Sequence, residues 1–286
     1  EVKAPAGYLN SGTITRDFSI REDGVIVDMT AADKSIQNEI IRGGVEIYKR
    51  DLEVTDTGKG KKDGNSSPLG GATFAGAQFA IISKNNGVTL VDTNGNGKFE
   101  DSEKYAKGDT VLTITTDKKG YAATAEDALP YGDYTIKEVK APDEGYLASG
   151  TLSQDFSIRK DGVVVDMTAS GDSISNQVMR GDFKLRKIGS STQDKVGYVT
   201  FRITSDTTGE SHEFTTDSMG NYSSAKYKHS KNTNGGGVKD GLWFGQYTAE
   251  DGSIQTVDVD DSLGALPYDT YTIQELYIKD EDGNDI

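Results

Sequence analysis

Three residue types recur in a fixed order along this chain, and together they could join two side chains through an amide. Lys49, Glu138 and Asn176 form one set. Asn38 precedes Asn176 by 138 positions, and Lys187 follows Lys49 by the same interval. Glu1 opens EVKAPAGY and Glu138 opens EVKAPDEGY, while Glu275 lies in LPYDTYTIQEL, an echo of LPYGDYTIKEV. In a strand, residues i and i+2 share a face. Lys49 therefore shares one with Val45 and Ile47, Glu138 with Tyr134 and Ile136, and Asn176 with Ile174 and Val178, while Glu46 and Tyr48 point away. The copies behave alike: Lys187 follows Phe183 and Leu185, Glu275 follows Tyr271 and Ile273, and Asn38 lies between Ile36 and Ile40. All are expected on the inward, apolar face, where a polar group is costly unless paired or reacted.

Burial pushes a lysine toward the neutral amine and a glutamate toward the neutral acid. The amine is a nucleophile, and an asparagine offers a carboxamide carbon to attack. A protonated Glu138 can hydrogen-bond the amide oxygen and shuttle protons. Confinement in a dry core supplies the effective molarity that free amides lack. The expected product is a Lys–Asn isopeptide bond, with ammonia released. The alternative is that Lys49 snorkels outward and Asn176 satisfies backbone groups.

The positioning elements follow from the repeat, which decides the architecture before any local reading. Residues 1–42 are read as the back half of one unit, 43–180 as a complete unit, and 181–286 as a third unit with a long insertion and no final strands. In the complete unit, VEIYKRD, AQFAIIS, VTLVD, TVLTITT, DYTIKEV, QDFSIRK, VVVDM and ISNQVM read as strands. Asp161-Gly162 and its copy Asp23-Gly24 sit between apolar runs and predict hairpins. No segment has convincing helical periodicity. The predicted class is all-β, in tandem sandwiches.

Composition narrows the function. A net charge of −15 argues against nucleic acid and is compatible with calcium. The chain has no cysteine, so an exported form would need a staple other than a disulfide. No apolar run has the length of a membrane span. Glu1 falls inside a repeated motif, so the missing signal peptide carries no message about location.

The strand ending in YKRD, the segment YTIKEVKAPDEGY and the strand ISNQV resemble the B-type, prealbumin-like repeat of Gram-positive collagen adhesins and SpaA-type pilins. The resemblance implies an immunoglobulin-like or transthyretin-like β-sandwich. In it, the first-strand Lys49 and last-strand Asn176 are joined with help from Glu138. It further implies a crosslinked stalk on a bacterial wall, acting once on itself rather than as a turnover enzyme. Partners would be neighbouring repeats of the same protein, and a host protein or glycan is a further option. Ile188-Gly189 replaces Arg-Asp after Lys187, a departure from the pattern. Asn38 at the head and Lys187 with Glu275 at the tail suggest that two chains could associate head to tail.

Asp92–Glu103 fits the twelve-position calcium-loop pattern, with Asp92, Asn94, Asn96, the Lys98 carbonyl and Glu103 as ligands and Gly97 at the turn. A polar hairpin tip built on Asn-Gly turns fits equally well. His212 and His229 lack metal-ligand spacing and read as exposed loop residues. Trp243 and Phe244 are either a ligand platform in the third unit or a core anchor.

Overall fold

The computed structural model describes residues 1–54, 67–169, 172–226, 242–249 and 251–276. Among these residues the chain is all-β, with single 3-10 turns at Asp101–Glu103 and Ser224–Lys226. At the head, β1 (Tyr8–Thr13) and β2 (Gln37–Ile40) pair antiparallel. The central sandwich comprises β3 (Arg42–Asp51), β4 (Gln78–Ser83), β5 (Thr89–Leu90), β6 (Lys104–Tyr105), β7 (Thr110–Thr115) and β8 (Tyr121–Ala123). It continues with β9 (Leu129–Pro130), β10 (Gly132–Lys140), β11 (Tyr146–Thr151), β12 (Ser153–Ile158), β13 (Val163–Met167) and β14 (Ile174–Val178).

One layer has the order β12-β10-β4-β7, antiparallel throughout. The other has the order β11-β14-β3-β13, with β8 and β9 also paired to β3. Val45, Ile47, Phe79, Ile81, Tyr134, Ile136, Phe156 and Ile174 fill the space between them. β14 lies parallel to β3, with Ile174 opposite Lys49 and Asn176 opposite Asp51. Parallel neighbours need a long crossover, and the rest of the sandwich provides it.

Two expectations fail here for physical reasons. β12 pairs with β10 and β13 with β3, so Asp161-Gly162 carries the chain between layers instead of closing a hairpin. Gly162 has the positive φ, 63°, that such a tight turn favours. Local turn chemistry does not say which sheet the next strand joins. In the head copy, residues 14–36 hold no strand, and Phe18 and Ile20 are exposed, whereas their counterparts Phe156 and Ile158 are buried. The outer face of β3 is buried as well, at Glu46, Tyr48 and Arg50. Tyr121 covers it, packing edge-on against Tyr48 and donating its hydroxyl to Glu46 at 2.7 Å.

The C-terminal region contains β15 (Arg180–Gly181), β16 (Lys184–Arg186), β17 (Thr200–Ser205), β18 (Ser211–Thr215) and β19 (Asn221–Ser223). β20 (Gln246–Thr248), β21 (Ile254–Thr256), β22 (Leu266–Pro267) and β23 (Tyr271–Glu275) complete it. The sheet β18-β17-β23 repeats the central order β7-β4-β10, and β16 pairs with β19 as β3 pairs with β8. The same turn recurs as well. Asp217 accepts from the Met219 and Asn221 amides, as Asp117 does from those of Lys119 and Tyr121. Trp243 and Phe244 are buried among Val199, Phe201 and Leu266, which makes them a core anchor rather than a platform.

Candidate functional site

Lys49 on β3 and Asn176 on β14 come from adjacent parallel strands of one layer, and Glu138 on β10 comes from the facing layer. The alternation of burial along β10 and β14 turns Glu138 and Asn176 inward with their apolar neighbours. Lys49 and Asn176 are fully buried and Glu138 is 6% exposed. The Lys49 amine donates to Asn176 Oδ1 and, at 3.1 Å, to the Ile174 carbonyl. It stands 3.4 Å from Glu138 Oε1.

This cluster is under-satisfied. Asn176 Nδ2 and both Glu138 carboxylate oxygens make no hydrogen bond among the described residues. Buried groups left in that state cost about 1–3 kcal/mol each. Burial pushes the Lys49 ammonium down to about 8, against the opposing pull of Glu138. About a tenth of such amines are neutral at pH 7, far more than for a free lysine. A buried amine therefore touches a carboxamide, with a carboxyl group beside both.

Two flanking residues escaped the sequence reading. Asp51, also on β3, is buried and accepts from the Tyr146 hydroxyl and the Glu53 amide, each at 2.8 Å. Burial pushes its carboxyl up to about 6, outweighing the lowering by those hydrogen bonds. Burial, then Asp51, pushes the Tyr146 hydroxyl well above the usual tyrosine range. The available signal was the i, i+2 spacing of Lys49 and Asp51 and the repeated Gly-Tyr-Leu at Tyr8 and Tyr146.

The copies each bring two of the three types together. Lys187 Nζ lies 2.5 Å from Glu275 Oε2, with side chains 27% and 36% exposed. Asn38 Nδ2 donates to Glu1 Oε1 at 2.8 Å and to the Leu9 carbonyl at 3.0 Å. Glu1 is exposed and Asn38 half-buried. The inward burial expected at Lys187, Glu275 and Asn38 is therefore absent: among the described residues no counterpart of β14 flanks Lys187, and Asn38 belongs to a lone two-stranded hairpin. The hairpin itself is a faithful copy: Gly12 faces Asn38 as Gly150 faces Asn176.

The Asp92–Glu103 loop is a hairpin tip between β5 and β6. Asp92 accepts from the Gly95, Asn96 and Gly97 amides, and Glu103 from Thr93, Asn94 and Glu100. The Asn94 and Asn96 side-chain amides donate to Glu100. The carboxylates expected to hold calcium are thus turned onto the loop's own donors. No group of three or more His, Cys, Asp or Glu suited to a metal occurs among the described residues. Calcium has no support here, and the self-capped turn explains the Asp, Asn and Gly spacing. His212 is on β18, half-buried, 2.9 Å from Glu210 and edge-on to Phe244, not in an exposed loop. His229 lies outside the described residues.

Residues 57–172 match the sequence model of the SpaA prealbumin-like fold domain. No curated protein sequence matches the chain. Among solved structures, the chain is similar to the Bacillus anthracis TIE protein at 21% identity and a TM-score of 0.44, covering 96% of this chain and 37% of that one. It is similar to the full-length major pilin SpaD from Corynebacterium diphtheriae at 19% identity and a TM-score of 0.28, covering 57% and 42%. A double mutant of the shaft pilin SpaA from Lactobacillus rhamnosus GG matches at 16% identity and a TM-score of 0.31, covering 64% and 81%.

Proposed function

We propose that residues 43–180 form a load-bearing module of a bacterial surface pilin or adhesin, locked by an isopeptide bond between Lys49 and Asn176. The supporting observation is the buried contact of the Lys49 amine with the Asn176 carboxamide, 3.4 Å from Glu138. The neutral amine attacks Asn176 Cγ while the protonated Glu138 hydrogen-bonds the amide oxygen. The tetrahedral intermediate collapses as Glu138 relays the amine's proton to Nδ2. The Cγ–Nδ2 bond breaks, ammonia leaves, and a Cγ–Nζ amide remains. The new amide N–H gives Glu138 the donor it lacks.

The chemistry occurs once per chain, so Glu138 promotes self-modification and no turnover follows. Residues 1–42 and 181–286 are flanking copies, and neighbouring units of the same protein are the first partners. Glu1 with Asn38, and Lys187 with Glu275, hold complementary parts of the triad, so a second chain could complete each. A wall-attached, extracellular setting fits a cysteine-free module that staples itself without redox chemistry.

Proteolysis followed by fragment mass analysis tests this reading. It predicts a branched peptide linking the Lys49 and Asn176 segments in the parent, and two linear peptides in Glu138→Gln. Linear peptides from the parent would reject it.

A further inference from the structure

Glu53 lies four residues after Lys49, and Arg180 lies four residues after Asn176, where the chain leaves the central sandwich. We propose that Arg180 is an inter-unit latch, fixing the C-terminal sheets on the central sandwich through Glu53. This inference does not depend on the crosslink.

The Arg180 guanidinium spends its donors on both sides of the joint. Nε and Nη2 donate to the two Glu53 oxygens at 2.7–2.9 Å. Nη1 donates to the Phe244 carbonyl at 2.8 Å and the Ala265 carbonyl at 3.2 Å. Its carbon lies 4.2 Å from the centroid of the Trp243 ring. Gln177 Nε2 also donates to Glu53. The Arg180 and Glu53 side chains are only 1% and 9% exposed, so swinging one unit away would strand a desolvated charge on each. The planar fork is what allows one cation to hold a carboxylate, two carbonyls and an indole at once.

The surrounding contacts make the same joint. Tyr146, Phe74 and Val178 of the central sandwich pack in one cluster with Tyr247 and Val257 of the C-terminal region. The Gly71 amide donates to the Tyr268 carbonyl, and the Tyr268 amide donates to the Met179 carbonyl, each at 2.8 Å. At Gly70, where φ is 58°, an added Cβ would stand 2.6 Å from the Tyr268 carbonyl oxygen, so a side chain there would push the units apart.

The repeat carries the device too. Arg42 precedes Lys49 by seven residues, as Arg180 precedes Lys187. Arg42 donates to the Ala128 carbonyl at 3.3 Å and the Leu90 carbonyl at 3.2 Å, and lies 5.0 Å over the Phe99 ring. Ala128 precedes Leu129-Pro130 as Ala265 precedes Leu266-Pro267. Each arginine is therefore seated in the unit it opens and needs only a carboxylate from the unit before. Linked domains with small polar interfaces move freely by default. This latch would convert a string of sandwiches into a stiff rod.

The chain has no cysteine, so Lys118→Cys and Met219→Cys, both in exposed turns, accept a pair of spin labels on the full chain. Pulsed dipolar spectroscopy should give one narrow distance in this labelled parent. Glu53→Ala should at least roughly double the distribution's width while far-UV circular dichroism keeps its sheet signal, as expected for a released joint. Arg180→Lys should broaden it as well, because a point charge cannot hold the fork's partners. Arg180→Ala could unfold the C-terminal sheets, so Glu53→Ala, which leaves the arginine seated, decides the matter. A broad distribution in the parent, or an unchanged narrow one in Glu53→Ala, would overturn the latch.

Discussion

Consider Lys49→Met, which keeps length and apolarity at the site but removes the amine. Tension on the central sandwich enters at the start of β3 and leaves at the end of β14, and these strands run parallel. Without a covalent bridge the load must be carried by the hydrogen bonds between Ile174–Asn176 and Lys49–Asp51. With one, force crosses directly from Lys49 to Asn176, and the 127 positions between them are bypassed. Unravelling that segment would release about 420–460 Å of chain at 3.3–3.6 Å per residue. Single-molecule pulling through the two ends should therefore find no step of that size in the parent below covalent rupture, and one such step in Lys49→Met. The same change should lower thermal stability. By analogy with a disulfide, closing a loop of this length is worth about 5 kcal/mol. At about 3–4 °C per kcal/mol, the melting midpoint should fall by about 15–20 °C. Losing the amide N–H beside the buried Glu138 adds to the penalty. A parent that releases about 400 Å in one step would refute the load path.

Asp51 makes a pH prediction. Its carboxyl ionises near 6 when folded against about 4 when unfolded, so the folded state holds the extra proton between those values. Its contribution is full below about pH 4 and is lost as pH rises through 6, a swing of about 3 kcal/mol for two pKa units. Asp51→Asn should match the parent near pH 4 and exceed its stability above pH 6 in urea titrations; parallel pH profiles would refute this. At the β5–β6 tip, Asp92→Ala removes the acceptor of three amides and should cost about 1–2 kcal/mol, equally with and without calcium. Saturable calcium heat that disappears in Asp92→Ala would reinstate the metal.

The triad was legible because strand alternation is local: Val45, Ile47 and Lys49 share a face whatever the rest of the chain does. Recurrence at 137 or 138 positions then separated these three polar residues from accidental ones. What failed was non-local. Asp161-Gly162 announces a turn, but only pairing of β13 with β3 decides that the chain changes layer. Glu46, Tyr48 and Arg50 look like an outer face, and Tyr121, seventy-odd residues away, buries it. The copies at Lys187 and Asn38 have the same local pattern as the central triad, yet burial requires flanking strands that the pattern does not encode. Asp92–Glu103 satisfies a metal-loop spacing because calcium loops and self-capped Asx turns draw on the same residues. Arg42 and Arg180 were passed over because arginine ordinarily reads as solvent-exposed. Their shared position seven residues before each lysine was the available clue.

The most direct test is the intact mass of the denatured parent chain. One amide between Lys49 and Asn176, with ammonia lost, predicts a mass about 17 Da below that of the unmodified sequence, and a mass equal to the plain sequence would contradict the account.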